Sequence, residues 1–202
     1  MQIDNQQIEF RDGFFWPKKD KIMWNYLHDN DRLSAPSIIA DFCKKKQTVI
    51  QAGGNAGYYP KEYSKHFKNV YTFEPDILNF NCLVLNTLEC PNIYRYQSAL
   101  GNGGDPVVLS ENDNCGAYIL NGEGNIPILK IDDLNLKNVP LIHLDIEGFE
   151  EQALKGAEKT IEKCNPIIVV EVTAQNPIPY IESLGYKKIH QLDVDHVFRR
   201  VK

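Results

Sequence analysis

The segment HLDIEGFEE sets His143, Asp145 and Glu147 at alternate positions. If a strand persists there, alternation points all three side chains to one face, so two carboxyls and an imidazole converge at its carboxyl end. Such a set can take the proton from a hydroxyl that is becoming a nucleophile. A histidine, titrating near ~6.5, suits this at neutral pH, whereas an aspartate acts best with a raised pKa or by orienting the acceptor. A second chemistry is open to the same region. Asp145, Glu147 and Glu171 are oxygen ligands of the kind Mg2+ takes, and coordination would lower the pKa of an acceptor hydroxyl. Structural readings stand beside these: Glu147 as an acid at a helix N-terminus, and His143 as a hydrogen-bonded core residue.

A second group of residues has a different chemistry. VIQAGGNAGYY, residues 49–59, is an apolar run that breaks into Gly53, Gly54, Asn55 and Gly57. A strand entering a glycine-rich turn and then a helix lets a ligand approach backbone at the carboxyl edge of a sheet. The order is not the G-x-G-x-x-G of a dinucleotide site, and no G-K-S or G-K-T of a phosphate loop follows. Glu74, 21 positions after Gly53 and within VYTFEPD, can accept hydrogen bonds from both ribose hydroxyls of an adenosine.

The elements that must position these groups can be read from hydropathy. TVIQA (48–52), VYTF (70–73), IYRYQSA (93–99), LIHLD (141–145) and IIVVEV (167–172) are strands, separated by segments of helical period. Asp76 caps a helix whose expected apolar stripe is Ile77, Phe80, Val84, Leu85 and Leu88. A helix after Asp145 places Phe149, Ala153, Leu154, Ala157 and Ile161 inward, and a short helix covers 178–184. KKIHQL and HVFRRV form a final antiparallel pair around 193–195. The expected fold is α/β: a Rossmann-like, seven-stranded, mainly parallel sheet with an antiparallel last strand and helices on both faces.

The chain is expected to be one domain over 1–202. Residues 1–46 form a helical lead-in, with helices after Asp20 and over SAPSIIADFC, and 47–202 the sheet core. A glycine- and asparagine-rich insertion, 101–125, interrupts the core as a flap whose VVLS pairs with IPILKI. Trp16 and Trp24, with Phe14, Phe15 and Tyr26, cover the sheet or line an acceptor pocket.

In this order the motifs resemble those of the FkbM-type methyltransferases, members of the class I S-adenosylmethionine-dependent fold. VIQAGGNAGYY is similar to the family's V-I-D-x-G-A-N-x-G-Y-Y, VYTFEPD to its second-strand motif and NIYRYQSALG to its third strand. LKIDDL is similar to T-L-D-D-L, and VPLIHLDIEGFEEQALKGAE to its signature L-K-I-D-x-E-G-x-E. The resemblance spans roughly residues 47–192 and implies S-adenosylmethionine as cofactor. It places Gly53, Asn55 and Gly57, with Gln51, at the cofactor's amino-acid end, Glu74 and Pro75 at its ribose, and Gln97, Ser98 and Ala99 at its adenine. Asp145 would lie beside the transferred methyl. Three positions depart from the family: Gln51 replaces an acid, His143 a lysine and Gly54 an alanine. A neutral amide at 51 lacks the ionic attraction to the cofactor's ammonium, which weakens the expected contact, and tighter binding by Gln51→Asp would give that loss a size.

Composition narrows the remaining classes. A 43% hydrophobic, 24% charged chain is an ordinary globular one, with no apolar run long enough for a membrane span. The net charge of -5 argues against a nucleic-acid partner. The five cysteines lack a C-x-x-C pair and read as reduced thiols. No leader pattern opens the chain, so a cytoplasmic location is expected. The function expected is O-methylation of a hydroxyl on a small molecule or sugar. The alternatives are a non-catalytic adenosyl-ligand-binding protein and, less favoured, a nicotinamide-dependent oxidoreductase.

Overall fold

In a computed structural model of the chain, which describes residues 7–20, 32–105, 107–109, 120–172 and 175–201, the β-branched runs assemble into one central sheet. Its strands are β3 (Thr48–Ala52), β4 (Asn69–Phe73), β5 (Ile93–Tyr96), β10 (Leu141–Leu144), β11 (Ile167–Glu171), β12 (Tyr186–Leu192) and β13 (Asp195–Arg200). The order across the sheet is β5-β4-β3-β10-β11-β13-β12. The first five are parallel and β13 runs antiparallel to β11. The order reverses between β3 and β10, and at such a switch point the crevice at the carboxyl ends is where open α/β sheets bind ligands.

Burial on both faces explains why β3, β10 and β11 carry few polar residues. One face packs Ile50, Ile142, Ile168 and Val170 under α4 (Glu150–Lys155) and α5 (Glu158–Cys164). The other packs Val49, Leu141, Val169 and Val197 under α1 (Ala35–Asp41) and α2 (Tyr58–Ser64). Each such side chain contributes about 1.5–3 kcal/mol by leaving water. The remaining helices are α3 (Ile77–Asn86) and α6 (Ile178–Ser183).

Several local expectations change. The lead-in is not all helical: residues 8–17 form a hairpin of β1 (Ile8–Arg11) and β2 (Phe14–Pro17) around Asp12 and Gly13, both at positive φ. SAPSIIADFC does supply α1, while the helix expected after Asp20, with Trp24 and Tyr26, lies outside the described residues. Trp16 is 1% exposed and packs with Ile8, Ala56 and Cys82, which is the covering role rather than a pocket wall.

The third strand ends at Tyr96. Ala99–Leu100, as β6, pairs separately and parallel with β9 (Ile128–Leu129). In the insertion, β7 (Val107–Leu109) pairs with β8 (Leu120–Ile126), so that VVLS meets IPILKI only at its first residue, Ile126, opposite Val107. The helix expected to run through 149–161 breaks at Gly156, where a Cβ would lie 2.0 Å from the Gly101 carbonyl oxygen.

The largest change is the phase of α3. Its buried residues are Asn79, Cys82, Leu83 and Asn86, whereas Ile77 and Leu88 are exposed. Hydropathy missed this face because two of its four residues are amides that turn inward to hydrogen-bond.

Candidate active site

The glycine turn follows β3 directly and is clamped by its neighbours. Gly53 has φ +82°, and a Cβ there would sit 1.9 Å from the backbone oxygen of Asp145. Gly57 has φ +95°, and its Cβ would meet the backbone of Leu83 at 3.0 Å. The turn therefore needs glycine for the close approach of β10 and α3 as well as for its left-handed backbone. Asn55, also left-handed at φ 43°, accepts the Ala56 N–H on its own Oδ1 at 2.6 Å.

Glu74 and the turn meet as their spacing predicts. Glu74 Oε2 accepts the Asn55 N–H at 2.7 Å, and Oε1 accepts the Asp76 N–H at 2.8 Å. Burial, opposed by those two N–H groups, pushes its carboxyl up to about 8. Asp76 caps α3 through the Leu78 and Asn79 N–H groups, and Pro75 between them is half-buried. At the end of β5, Gln97 is exposed, whereas Ser98 and Ala99 are buried. Among the described residues, the buried Ser98 Oγ has no hydrogen-bond partner. A buried hydroxyl in that condition suits a ligand that supplies the missing bond.

The acidic group forms where β10 and β11 end. Ligand oxygens of Asp145, Glu147 and Glu171 all lie within 4.8 Å of one another. Burial first, then Glu171, Asp195 and Glu147, hold the Asp145 carboxyl well above the usual aspartate range. Burial, with Glu171 and Glu150, pushes Glu147 up to about 7. Glu147 is left-handed at φ 52° and Gly148 follows at φ 94°. The tight loop they make is held by Glu150, 1% exposed, whose Oε1 accepts the Ile146 and Gly148 N–H groups at 3.1 and 3.2 Å. Sequence reasoning did not single out Glu150; the available signal was its place at the helix start, where a carboxylate can fold back onto the preceding N–H groups.

Two expected site residues are set back from the crevice. Gln51 is 1% exposed and its amide is consumed by the protein. Thr72 Oγ1 donates to its Oε1 at 2.7 Å, and its Nε2 donates to the carbonyls of Gly53 and Ala52 at 2.8 and 3.2 Å. These bonds fasten the turn from below. His143 is fully buried, its Nδ1 2.7 Å from the Tyr63 hydroxyl and its Nε2 3.6 Å from Asp195 Oδ1. Tyr59 lies against its ring. In this arrangement no part of His143 reaches the surface. Its strand register faces it into the α2 layer, beside Gln51 on β3.

A parallel sheet of order 3-2-1-4-5 extended by an antiparallel final pair is the class I methyltransferase fold. The model of the FkbM methyltransferase domain matches residues 51–188, and the chain belongs to that family. Among solved structures, it is similar to a FkbM methyltransferase from Methylobacillus flagellatus, with 21% identity and a TM-score of 0.53 over 75% of this chain. The match covers 43% of that protein, so the chain spans less than half of its length. An rRNA methylase from Streptococcus thermophilus aligns with TM-score 0.53 and 10% identity, over 83% of this chain and 95% of that one. TYW2 of M. jannaschii, solved with AdoMet, aligns with TM-score 0.52 and 18% identity, over 96% and 86%. No curated protein sequence matches the chain.

Proposed function

We propose that this chain is an S-adenosylmethionine-dependent O-methyltransferase acting on a hydroxyl of a small molecule or sugar. The observation that carries the reading is the meeting of the glycine turn with Asp145: Gly53 packs on the Asp145 backbone, which sets cofactor-binding backbone beside the acidic group. In this reading Gly53, Asn55 and Gly57 hold the cofactor's amino-acid end. Glu74 and Pro75 hold the ribose, and Gln97, Ser98 and Ala99 border the adenine. With the two backbone N–H groups and a side-chain bond from Asn79 taken up, the Glu74 carboxyl still has a lone pair to which a ribose hydroxyl can donate.

Asp145 is the proton acceptor or orienting group. Bound S-adenosylmethionine would supply an electrophilic methyl with a neutral thioether as leaving group, and Asp145 would take the proton that the acceptor hydroxyl gives up on methylation. The raised proton affinity of Asp145 brings it nearer to a hydroxyl's demand than an ordinary aspartate. Glu147 supports the same acceptor from the loop. His143 acts from beneath, positioning the end of β10 through Tyr63. Changing Asp145→Asn should lower turnover about 100-fold or more while cofactor affinity stays within a few-fold. Full activity in that variant would remove Asp145 from the chemistry.

A second reading follows from the three carboxylate oxygens within 4.8 Å of one another. Asp145, Glu147 and Glu171 would hold a divalent cation such as Mg2+, which would lower the acceptor hydroxyl's pKa. Loss of activity with a chelator and recovery with Mg2+ selects this version; indifference to the chelator selects the metal-free one.

A further inference from the structure

The inward face of α3 carries a polar residue whose bonds join two parts of the molecule that are far apart in sequence. Asn86, 7% exposed, accepts the Phe15 N–H on Oδ1 at 2.7 Å. Its Nδ2 donates to the Phe15 carbonyl at 2.8 Å and to the Ala56 carbonyl at 2.7 Å. Phe15 belongs to the β1–β2 hairpin, and Ala56 sits inside the glycine turn between Asn55 and Gly57. Around this link the packing is continuous. Trp16, Ile8, Ala56 and Cys82 form one buried cluster, Phe14 lies 5.7 Å from the Tyr58 ring, and Leu83 of α3 abuts Gly54 and Gly57. The hairpin lies outside residues 51–188 that match the family.

We propose that Asn86 is a positioning residue for the cofactor turn, and that the amino-terminal hairpin forms part of the frame of the cofactor site. The proposal rests on the reading that the turn binds S-adenosylmethionine. A residue that only fastened the hairpin would need its two bonds to Phe15 and no more. The third bond fixes the carbonyl of Ala56 and with it the plane of the 56–57 peptide, whose N–H closes the turn on the Gly54 carbonyl at 2.8 Å, so it holds the shape the turn presents to a ligand. An amide suits this place because it can donate twice while accepting once. In Asn86→Asp both donors are lost at nearly constant volume, and a carboxylate then faces two carbonyl oxygens. Asn86→Ala removes all three bonds without adding a charge.

The test compares wild type, Asn86→Asp, Asn86→Ala and a control, Ile181→Ala, which removes buried apolar volume from α6 against β12 at the far edge of the sheet. Binding of S-adenosylhomocysteine is measured by calorimetry, and amide exchange is followed at residues 53–57 and 141–144. Both Asn86 variants should bind about tenfold more weakly and exchange faster at 53–57 with 141–144 unchanged, while the control binds as wild type. Wild-type affinity in Asn86→Ala, or exchange that rises equally throughout, would overturn the proposal. A wild type that binds no S-adenosylhomocysteine would instead overturn the cofactor reading, and the proposal with it.

Discussion

Gln51→Glu is the substitution that most sharply separates the sequence reading from the structural one. The resemblance leads one to expect that an acid at 51 improves the cofactor site. The structure makes the amide a fastener, 1% exposed, with its Nε2 shared between the carbonyls of Gly53 and Ala52. Glutamate keeps the shape and the acceptor for Thr72 but loses both donors. Ala52 O retains the Asp145 N–H at 3.1 Å, so the Gly53 carbonyl bears most of the loss. Leaving one buried acceptor unpaired costs about 1–3 kcal/mol, and a buried carboxylate facing it adds to that.

The glutamate escapes part of this cost by taking up a proton, which restores one donor toward Gly53. We therefore expect a loss of about 2–4 kcal/mol at pH 8 that shrinks to about 1 kcal/mol at pH 5. The sign is that of an acid whose folded pKa is raised: the folded state binds the extra proton, so stability falls as pH rises. For a domain of this size ~3 kcal/mol is a drop of about 6–12 °C in Tm. Thermal unfolding of wild type and variant at the two pH values, with S-adenosylhomocysteine calorimetry beside it, measures both claims. A variant as stable as wild type at pH 8, or one that binds the ligand more tightly, would refute the fastener argument.

Gly53→Ala should misfold or lose more than ~3 kcal/mol, because its Cβ would overlap the Asp145 carbonyl at 1.9 Å at a φ of +82°; circular dichroism and urea unfolding report it. Glu150→Ala should cost about 2–4 kcal/mol by stripping two buried N–H groups of their acceptor, while Glu150→Gln, which keeps an acceptor oxygen, should cost ~1 kcal/mol or less. Acidification should stabilise the fold through Glu74. Its folded pKa of about 8 lies above its ordinary value of 4.5, so the folded state holds a proton that the unfolded chain releases. Stability from this group falls as pH rises between those values, by an amount on the order of a few kcal/mol that pH-dependent urea unfolding can measure. Methyl transfer should rise with pH through about 7 as Glu147 ionises, and a flat profile there would separate Glu147 from the reaction.

The sequence by itself determined the sheet and the placement of its chemistry. Five apolar runs separated by helical segments leave a parallel sheet as the economical way to bury two faces. Turn and acid residues that follow a strand in sequence must then gather at its carboxyl edge. Asp145, Glu147, Glu74 and the glycine turn were legible for that reason, since each depends on local order and on the shared direction of parallel strands.

Tertiary structure decided what depends on which neighbour a side chain meets. Alternation put His143, Asp145 and Glu147 on one face of a continued strand, yet β10 ends at Leu144, Asp145 and Glu147 follow it in the loop, and burial took His143 under Tyr59 and Tyr63. Gln51 reads the same in sequence whichever groups its amide meets; only β4, which brings Thr72 opposite it, and the carbonyls of Ala52 and Gly53 decide its hydrogen bonds. The face of α3 was misjudged because hydropathy assigns amides to water. Asn86 is inside because a hairpin more than 70 positions earlier and a turn 30 positions earlier both present backbone groups to it. A buried polar residue is stable only where its partners are, and the partners are fixed by the fold, not by the neighbouring letters.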